Sequence, residues 1–220
     1  KKIKLVILKT PLLGHVLYIP RRLKTALKYF YKPCLNLAKW LIKSKETTNF
    51  TYDLEDSNKR YLASLISEIL NVEYQKIINY IKEIEEDKDL EKHIKKMTLS
   101  SSFFFMADKD VFFGRRLGWY AFVRALKPKI IIETGVDKGL GSILLTAGLK
   151  RNEEEGHKGK YYGTDINVNA GYLLSGKYAD YGEIIYGDSI KSLKEFDDGP
   201  IDLFINDSDH SSDYEAMEYE

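Results

Sequence analysis

The sequence has a single cysteine, Cys34, among its 220 residues. It therefore cannot form an internal disulfide, and it lacks the Cys and His spacing of zinc sites. Nothing in it requires an oxidising compartment, so the glycosylation pattern at residues 49–51 carries no weight. These absences favour a cytoplasmic protein.

Long apolar segments are also missing. A membrane-spanning helix needs about 20 mostly apolar residues, and lysines interrupt every longer apolar window of this chain. Residues 1–18 fit a signal peptide poorly, because Lys9 and Pro11 divide the apolar stretch and no convincing cleavage site follows. We therefore expect neither a membrane span nor a signal peptide.

Acidic residues are absent from the first 45 positions, which contain 12 Lys or Arg. The remainder carries a formal charge of −11, so the net charge of +1 conceals a strong polarity. Within residues 21–43, leucines and aromatic residues alternate with lysines at near-helical spacing, as in amphipathic helices that lie on membranes. Pro33 is expected to break or kink this helix. Residues 1–56 are thus predicted to be a basic amphipathic extension.

Two roles for this extension are favoured about equally. Residues 1–45 could make a peripheral contact with a membrane, on its cytoplasmic face. They could instead fold against the acidic remainder of the chain, with their aromatic residues serving as core. Nucleic acid is a less favoured partner than either.

Residues 57–116 are predicted to form a helical region followed by an aromatic connector. Apolar residues recur at helical spacing over residues 57–97, and Asn71 is expected to interrupt them. His93 lies in a mixed charge run and is expected to face water. The connector is expected to pack over the sheet or over its ligand site, and a helix is predicted over residues 117–126, before Pro128.

Residues 129–210 repeat one pattern four times, a short apolar strand that ends in an acidic residue. Strands are predicted at residues 129–133, 161–165, 183–188 and 201–207, and helices at residues 139–151, 190–196 and 213–220. The alternation predicts an α/β fold with a Rossmann-like, doubly wound and mostly parallel sheet. Because parallel strands place their carboxyl ends along one edge, the acids should share one ligand crevice.

The glycine-rich turn at residues 133–142, E-T-G-V-D-K-G-L-G-S, lets the backbone approach a ligand closely. Its spacing is not the G-x-G-x-x-G of dinucleotide sites. The carboxylates nearby would oppose a pyrophosphate at the helix start and favour a cation instead. These carboxylates belong to Glu133, Asp137, Asp165, Asp188 and Asp207. Glu133, Asp165 and Asp188 also have an alternative interpretation as helix caps, and Gly139 and Gly141 as ordinary turn residues.

Four motifs, taken in order, resemble the class I S-adenosylmethionine-dependent methyltransferases. They are the turn at residues 133–142, Y-G-T-D-I-N at 162–167, Y-G-D-S at 186–189 and D-L-F-I-N-D-S-D-H at 202–210. The resemblance covers residues 117–220 and implies a cofactor-binding domain there. S-adenosylmethionine suits the crevice because it carries positive charge and hydroxyls that carboxylates can bind. The implied cofactor-binding residues are Glu133, Gly135, Gly139, Gly141, Asp165, Asp188, Ser189 and Asp207.

The resemblance also implies separate roles for these residues. Glu133 and Gly135 would lie beside the methionine portion, and Asp165 would hold the ribose hydroxyls. The adenine would lie near Asp188 and Ser189. Asp207 would sit over the reacting centre.

The candidate catalytic residues are Asp207, Asp209 and His210, in the densest polar cluster that follows an apolar strand. Methyl transfer to an oxygen needs positioning and a base or a metal. The segment resembles the metal-binding strand end of catechol-type O-methyltransferases, which would make Asp207 and Asp209 ligands of Mg²⁺. His210 could be the base, could orient Asp207 or could be solvated. The expected acceptor is an oxygen of a small molecule or glycan.

The sheet of the family that this sequence resembles has seven strands, of which four are predicted here. We therefore expect the chain to be a fragment of a longer protein, with little methyl transfer of its own. Two alternatives stay open, an oxidoreductase that binds an NAD-type dinucleotide and a non-catalytic Rossmann-type binding module. A cofactor titration would separate the three.

Overall fold

The structure, a computed structural model, describes residues 11–43, 54–107 and 110–220. The chain divides into two compact units, residues 1–50 and residues 51–220. Among the helices in the described ranges, none combines the length and the apolarity that crossing a bilayer would take.

The first unit contains one long helix, α1 (Pro11–Lys43). Pro20 and Pro33 both lie inside it, so of the break or kink predicted at Pro33 the break does not occur. A proline removes one backbone hydrogen bond, and the leucines, lysines and alanines on either side are strong helix formers. The helix has 33 residues, which corresponds to a length of about 50 Å.

The second unit begins with three helices, α2 (Asp56–Leu70), α3 (Tyr74–Glu85) and α4 (Lys88–Ser100). Asn71 follows α2 in the left-handed conformation, with φ 50°, and its N–H bonds to the carbonyl of Ser67. This is a common way for a helix to end, and it confirms the break predicted at Asn71. The side chain of Asp87 caps α4 by accepting from two backbone N–H groups.

His93, on α4, packs against the protein and does not face water as predicted. Its Nε2 lies 3.1 Å from the carbonyl oxygen of Leu173, and its ring meets that of Tyr178 edge to face at 5.0 Å. One face of this highly charged helix is apolar, since Leu90 and Ile94 are buried. His93 lies beside that face and is covered with it.

The sheet has four parallel strands in the order β3-β2-β1-β4. The strands are β1 (Ile130–Thr134), β2 (Lys160–Asp165), β3 (Gly182–Tyr186) and β4 (Leu203–Asn206). The helices around it are α5 (Arg116–Leu126), α6 (Leu140–Glu154), α7 (Ser189–Lys194) and α8 (Ser212–Tyr219). Short 3₁₀ turns span Phe104–Met106 and Gly176–Tyr181. The predicted Rossmann-like fold with a helical N-terminal region is confirmed.

Helices cover both faces of the sheet, which explains why β1 reads Ile-Ile-Ile without alternation. On one face, buried residues of α5 and α6 pack against β1 and β2: Val123, Ile131, Leu145, Leu149 and Tyr161. On the other face, Leu193 and Phe196 pack against Ile130, Ile132 and Tyr162. A further cluster joins α2, α3 and α4 to α5 and α6.

A buried arginine ties this helical layer together. Arg124 of α5 is 2% exposed. It donates to Glu83 of α3 at 2.7 Å and to Glu155, just after α6, at 2.5 Å. Its guanidinium also bonds to Asn152. Charge-assisted bonds of this kind compensate for the burial of the cation.

Candidate functional site

The carboxyl ends of the strands meet at one cavity of about 530 Å³. Three backbone hydrogen bonds of 2.9 Å join the ends of neighbouring strands. The N–H of Gly135 donates to the carbonyl of Thr164, that of Asp207 to Thr134, and that of Gly187 to Asp165. Five of the lining residues are aspartates and none is basic. They are Gly135, Asp137, Thr164, Asp165, Ile166, Gly187, Asp188, Ser189, Asp207, Ser208, Asp209 and Tyr214.

Asp165 ends β2 and holds two turns by its carboxylate. One oxygen accepts the N–H of Asp137 at 2.9 Å, and the other accepts the N–H of Asn167 at 2.8 Å. The first bond fixes the turn after β1, where Asp137 itself adopts φ 48°. Each carboxylate oxygen can accept a further hydrogen bond, so Asp165 can still bind ligand hydroxyls from the cavity.

Thr164, the neighbour of Asp165, also lines the cavity. Its side-chain hydroxyl is buried and has no hydrogen-bond partner among the residues that the structure describes. A buried hydroxyl without a partner is costly.

Gly135 brings the turn after β1 against the end of β4. Its φ is 81°, and a β-carbon there would lie 2.6 Å from the carbonyl carbon of Asp207 and 2.7 Å from Cα of Ser208. Only glycine permits both that conformation and that approach. Gly135 therefore shapes the cavity wall at the junction of the two strands.

Glu133, Gly139 and Gly141 do not line the cavity. The Glu133 carboxylate is 1% exposed and accepts from the hydroxyls of Ser142 at 2.9 Å and Tyr161 at 2.5 Å. Gly141 lies against that carboxylate and the Trp119 ring, and a β-carbon would collide with both. Gly139 precedes α6 and lies against Gly171. These residues hold the turn and the start of α6 in place.

Burial raises the pKa of Glu133 to about 7, and the hydrogen bonds from Tyr161 and Ser142 only partly oppose this shift. Burial therefore favours the protonated form of this carboxyl group more than it is favoured in an exposed glutamate. The Tyr161 hydroxyl is likewise buried, which raises its pKa.

Asp188 and Ser189 lie at the start of α7 and line the cavity. The Asp188 carboxylate caps the helix by accepting the Lys191 N–H at 2.9 Å. Asp188 is therefore a helix cap, as its alternative interpretation had it, and it also lines the cavity. The Ser189 hydroxyl lies 2.9 Å from that of Tyr214. It also bonds to Glu218, a buried carboxylate that accepts from Ser208, Asn206 and Thr134.

Asp207 lies directly after β4, and its carboxylate pairs with two arginines. Arg115 Nη2 is 3.0 Å from one carboxylate oxygen, and Arg116 Nη2 is 3.6 Å from the other. The Arg116 guanidinium also lies over the Trp119 ring at 5.2 Å. The arginines offset part of the negative charge at this end of the cavity.

Asp209 and His210 lie on the exposed side of the same loop. An Asp209 oxygen accepts the Ser211 N–H at 2.9 Å. His210 Nδ1 lies 2.9 Å from Glu215 Oε1, and this hydrogen bond raises the pKa of His210. His210 Nε2 lies 3.7 Å from Asp207.

Asp207 and Asp209, the predicted ligands of Mg²⁺, both make contacts within the protein. Asp207 is occupied by arginines, and Asp209 supports its own loop. Within residues 11–43, 54–107 and 110–220, no group of three or more His, Cys, Asp or Glu side chains is placed to hold a metal ion.

A protein-family model described as a methyltransferase domain matches residues 132–220. The match contains all four strand ends that surround the cavity, in the parallel order given above. Residues 132–220 are a methyltransferase domain. The class I methyltransferase resemblance is confirmed for this part of the chain.

Solved structures give a weaker comparison with the chain as a whole. An SAH-bound Podospora anserina methyltransferase, PaMTH1, is 16% identical over 76% of this chain, with a TM-score of 0.46. SAH-bound and Mg-SAM-bound forms of cmcI are 15% and 18% identical over 50% and 54% of this chain, each with a TM-score of 0.39. The chain covers 65% of the PaMTH1 chain and 55% and 52% of the two cmcI chains. No curated protein matches the sequence.

A second cavity of about 400 Å³ adjoins the methyltransferase domain's first cavity at Asp207, which lines both. Its wall combines aromatic side chains with the polar groups of Arg115 and His210. The remaining lining residues are Trp119, Phe122, Leu203, Phe204, Ile205 and Asn206.

Several residues of the methyltransferase domain's site were not predicted from the sequence. The lining residues Thr164 and Gly187 sit inside the motifs that carried the resemblance, so their position was the available signal. The Arg115-Arg116 pair lies in the connector predicted to cover the ligand site. Glu218 had no local signal, because its role depends on the return of α8 to the strand ends.

Proposed function

We propose that the methyltransferase domain binds S-adenosylmethionine in the 530 Å³ cavity and transfers its methyl group to an oxygen of a small molecule or glycan. The observation that carries this proposal is the lining of the cavity. Among the described residues that line it, five are aspartates and none is basic. Such a lining favours a cationic ligand over a pyrophosphate. The volume is in the range typical of small-molecule sites.

The residues present suit the parts of this cofactor. Asp165 would bind the ribose hydroxyls. Asp188 and Ser189 would lie at the adenine, and Gly135 at the methionine portion. Glu133, Gly139 and Gly141 would act indirectly by holding the turn. When bound, the cofactor supplies an electrophilic methyl carbon on a positively charged sulfur.

The chain's own groups would position and deprotonate the acceptor. The second cavity meets the first at Asp207, so an acceptor held against Trp119 would present its hydroxyl near the reacting centre. The Glu215 hydrogen bond favours the His210 tautomer with its proton on Nδ1, which leaves Nε2 able to accept the hydroxyl proton. Asp207, 3.7 Å from Nε2, would stabilise the imidazolium that forms. Asp209 would keep the loop in place.

Calorimetric titration of the chain with S-adenosylhomocysteine and with NAD tests this proposal. We expect S-adenosylhomocysteine to bind and NAD not to bind. Asp165→Asn keeps one acceptor oxygen but removes the charge, and it should weaken binding by about 10- to 100-fold, because hydrogen bonds to charged groups contribute about 1.5–3 kcal/mol.

Asp180→Asn is the matched control, since Asp180 is an exposed carboxylate that does not line the cavity. It should leave the affinity unchanged, and circular dichroism should show that both variants fold. Binding of NAD alone would support an oxidoreductase. Binding of neither ligand would support a binding module without this cofactor.

A further inference from the structure

Eight apolar residues of the long helix α1 form one stripe, and most of its basic residues lie on the opposite face, which also carries Leu17, Leu35 and Ile42. From Val16, apolar residues follow at intervals of three or four: Val16, Ile19, Leu23, Leu27, Phe30, Cys34, Leu37 and Leu41. These intervals place them along one stripe of an α-helix. Because the helix runs on through Pro33, the stripe is continuous from Val16 to Leu41.

This stripe, the apolar stripe of α1, is exposed. Leu23 is 57% exposed, Phe30 62% and Leu41 65%. Contiguous exposed apolar surface of this kind marks an interaction site in a soluble protein. Its occupant must accept a narrow apolar strip about 40 Å long.

The opposite face of α1 is basic. Arg21, Lys24, Lys28, Lys32, Lys39 and Lys43 recur at intervals of three, four or seven, and α1 contains no acidic residue. At 100° per residue these positions centre about 160° away from the apolar stripe. No carboxylate on the helix itself neutralises them.

Charge and shape together select the occupant. A helix that buries an apolar stripe while keeping uncompensated lysines on its other face fits an anionic bilayer surface, where acyl chains cover the stripe and lipid headgroups attract the lysines. A second copy of α1 would cover the stripe but would also bring two positively charged helices together. We infer that α1 lies in the surface of an anionic lipid bilayer, with its apolar stripe toward the acyl chains.

The single cysteine gives a direct probe of this orientation, because Cys34 lies on the apolar stripe and is exposed. A polarity-sensitive fluorophore attached to Cys34 should shift to the blue and brighten when the full chain meets vesicles of phosphatidylcholine and phosphatidylserine. Vesicles of phosphatidylcholine alone should give a much smaller change. The matched control combines Cys34→Ser with Asn36→Cys, which moves the label to the polar face and should leave its emission close to that in water.

Co-sedimentation with the same vesicles separates the two faces. Lys24→Gln, Lys28→Gln and Lys32→Gln together should weaken binding about a hundredfold, at about fivefold for each lysine near an anionic surface. The control replaces three exposed lysines outside α1, Lys158, Lys191 and Lys194, by glutamine and should bind as the native chain does. Leu27→Asn with Phe30→Asn should abolish binding to both kinds of vesicle.

Three results would overturn the inference. The first is no co-sedimentation with anionic vesicles, and the second is equal binding to neutral and anionic vesicles. The third is equal fluorescence changes from the two label positions. A chain that forms dimers and ignores vesicles would assign the stripe to a second copy instead. None of these results bears on the cofactor titration.

Discussion

Gly135→Ala should destabilise the chain more than a glycine-to-alanine change at a position where only the backbone conformation disfavours alanine. Gly135 has φ 81°, and an added β-carbon would stand 2.6 Å from the Asp207 carbonyl carbon and 2.7 Å from Cα of Ser208. These neighbours are backbone atoms next to a strand, so they cannot rotate away. The cost therefore has a conformational part and a steric part.

Gly156→Ala separates the two parts. Gly156 has φ 89°, close to that of Gly135, but an added β-carbon there would meet no atom within 4 Å. The left-handed conformation should cost each alanine variant about 1–2 kcal/mol, while overpacking should add about 1–3 kcal/mol at Gly135 alone. We expect Gly135→Ala to lose about 2–5 kcal/mol in total and Gly156→Ala about 1–2 kcal/mol.

Urea denaturation followed by circular dichroism measures both free energies of unfolding, with the m-values checked for equality. Equal losses for the two variants would refute the reasoning, because they would mean that the turn after β1 does not touch the end of β4. Gly135 and Asp207 would then not form a common wall of the 530 Å³ cavity.

Three further predictions concern charged groups. The pKa of Glu133 rises from 4.5 to about 7 on folding, so its contribution to stability is complete below about pH 4.5 and falls by up to about 3 kcal/mol as the pH rises through 7. Glu133→Gln should flatten that pH dependence in denaturation curves, whereas the exposed Glu195→Gln should not. Glu215→Gln should lower the pKa of His210 in an NMR titration, and an unchanged value would argue against their hydrogen bond. Arg124→Leu should lower the free energy of unfolding by about 2 kcal/mol, because the partly exposed carboxylates of Glu83 and Glu155 would lose their cation. An unchanged free energy of unfolding would contradict a stabilising role for these hydrogen bonds.

The sequence was enough to predict the sheet, because each strand and its following acid form a local pattern. Crossover handedness then brings the carboxyl ends to one edge without further information. The bounds differ by a few residues, as at β3, predicted over 183–188 and observed over Gly182–Tyr186. The break at Asn71 was predictable for the same local reason.

Contacts between distant residues were not predictable. Glu133 was expected to lie beside a ligand, but Tyr161 and Ser142, 28 and 9 positions away, occupy its carboxylate. The pairing of Asp207 with Arg115 spans 92 positions. Such partners depend on how elements pack after they form, and spacing along the chain does not encode that packing.

At Pro33 the local preference of a residue does not decide the secondary structure. Its missing N–H and ring predict a break or a kink, yet α1 continues to Lys43. The leucines, lysines and alanines of α1 favour the helix on both sides of Pro20 and Pro33. The continuous apolar stripe of α1 became visible only in the structure for this reason.

The central claim, that the carboxylate-lined cavity holds S-adenosylmethionine, is tested most directly by a structure of the chain with S-adenosylhomocysteine bound. The measured quantity is the distance between the Asp165 carboxylate oxygens and the ribose hydroxyl oxygens. We expect at least one such distance of about 2.7 Å, as in a charge-assisted hydrogen bond. A ligand bound elsewhere, or a ribose that does not contact Asp165, would contradict the claim.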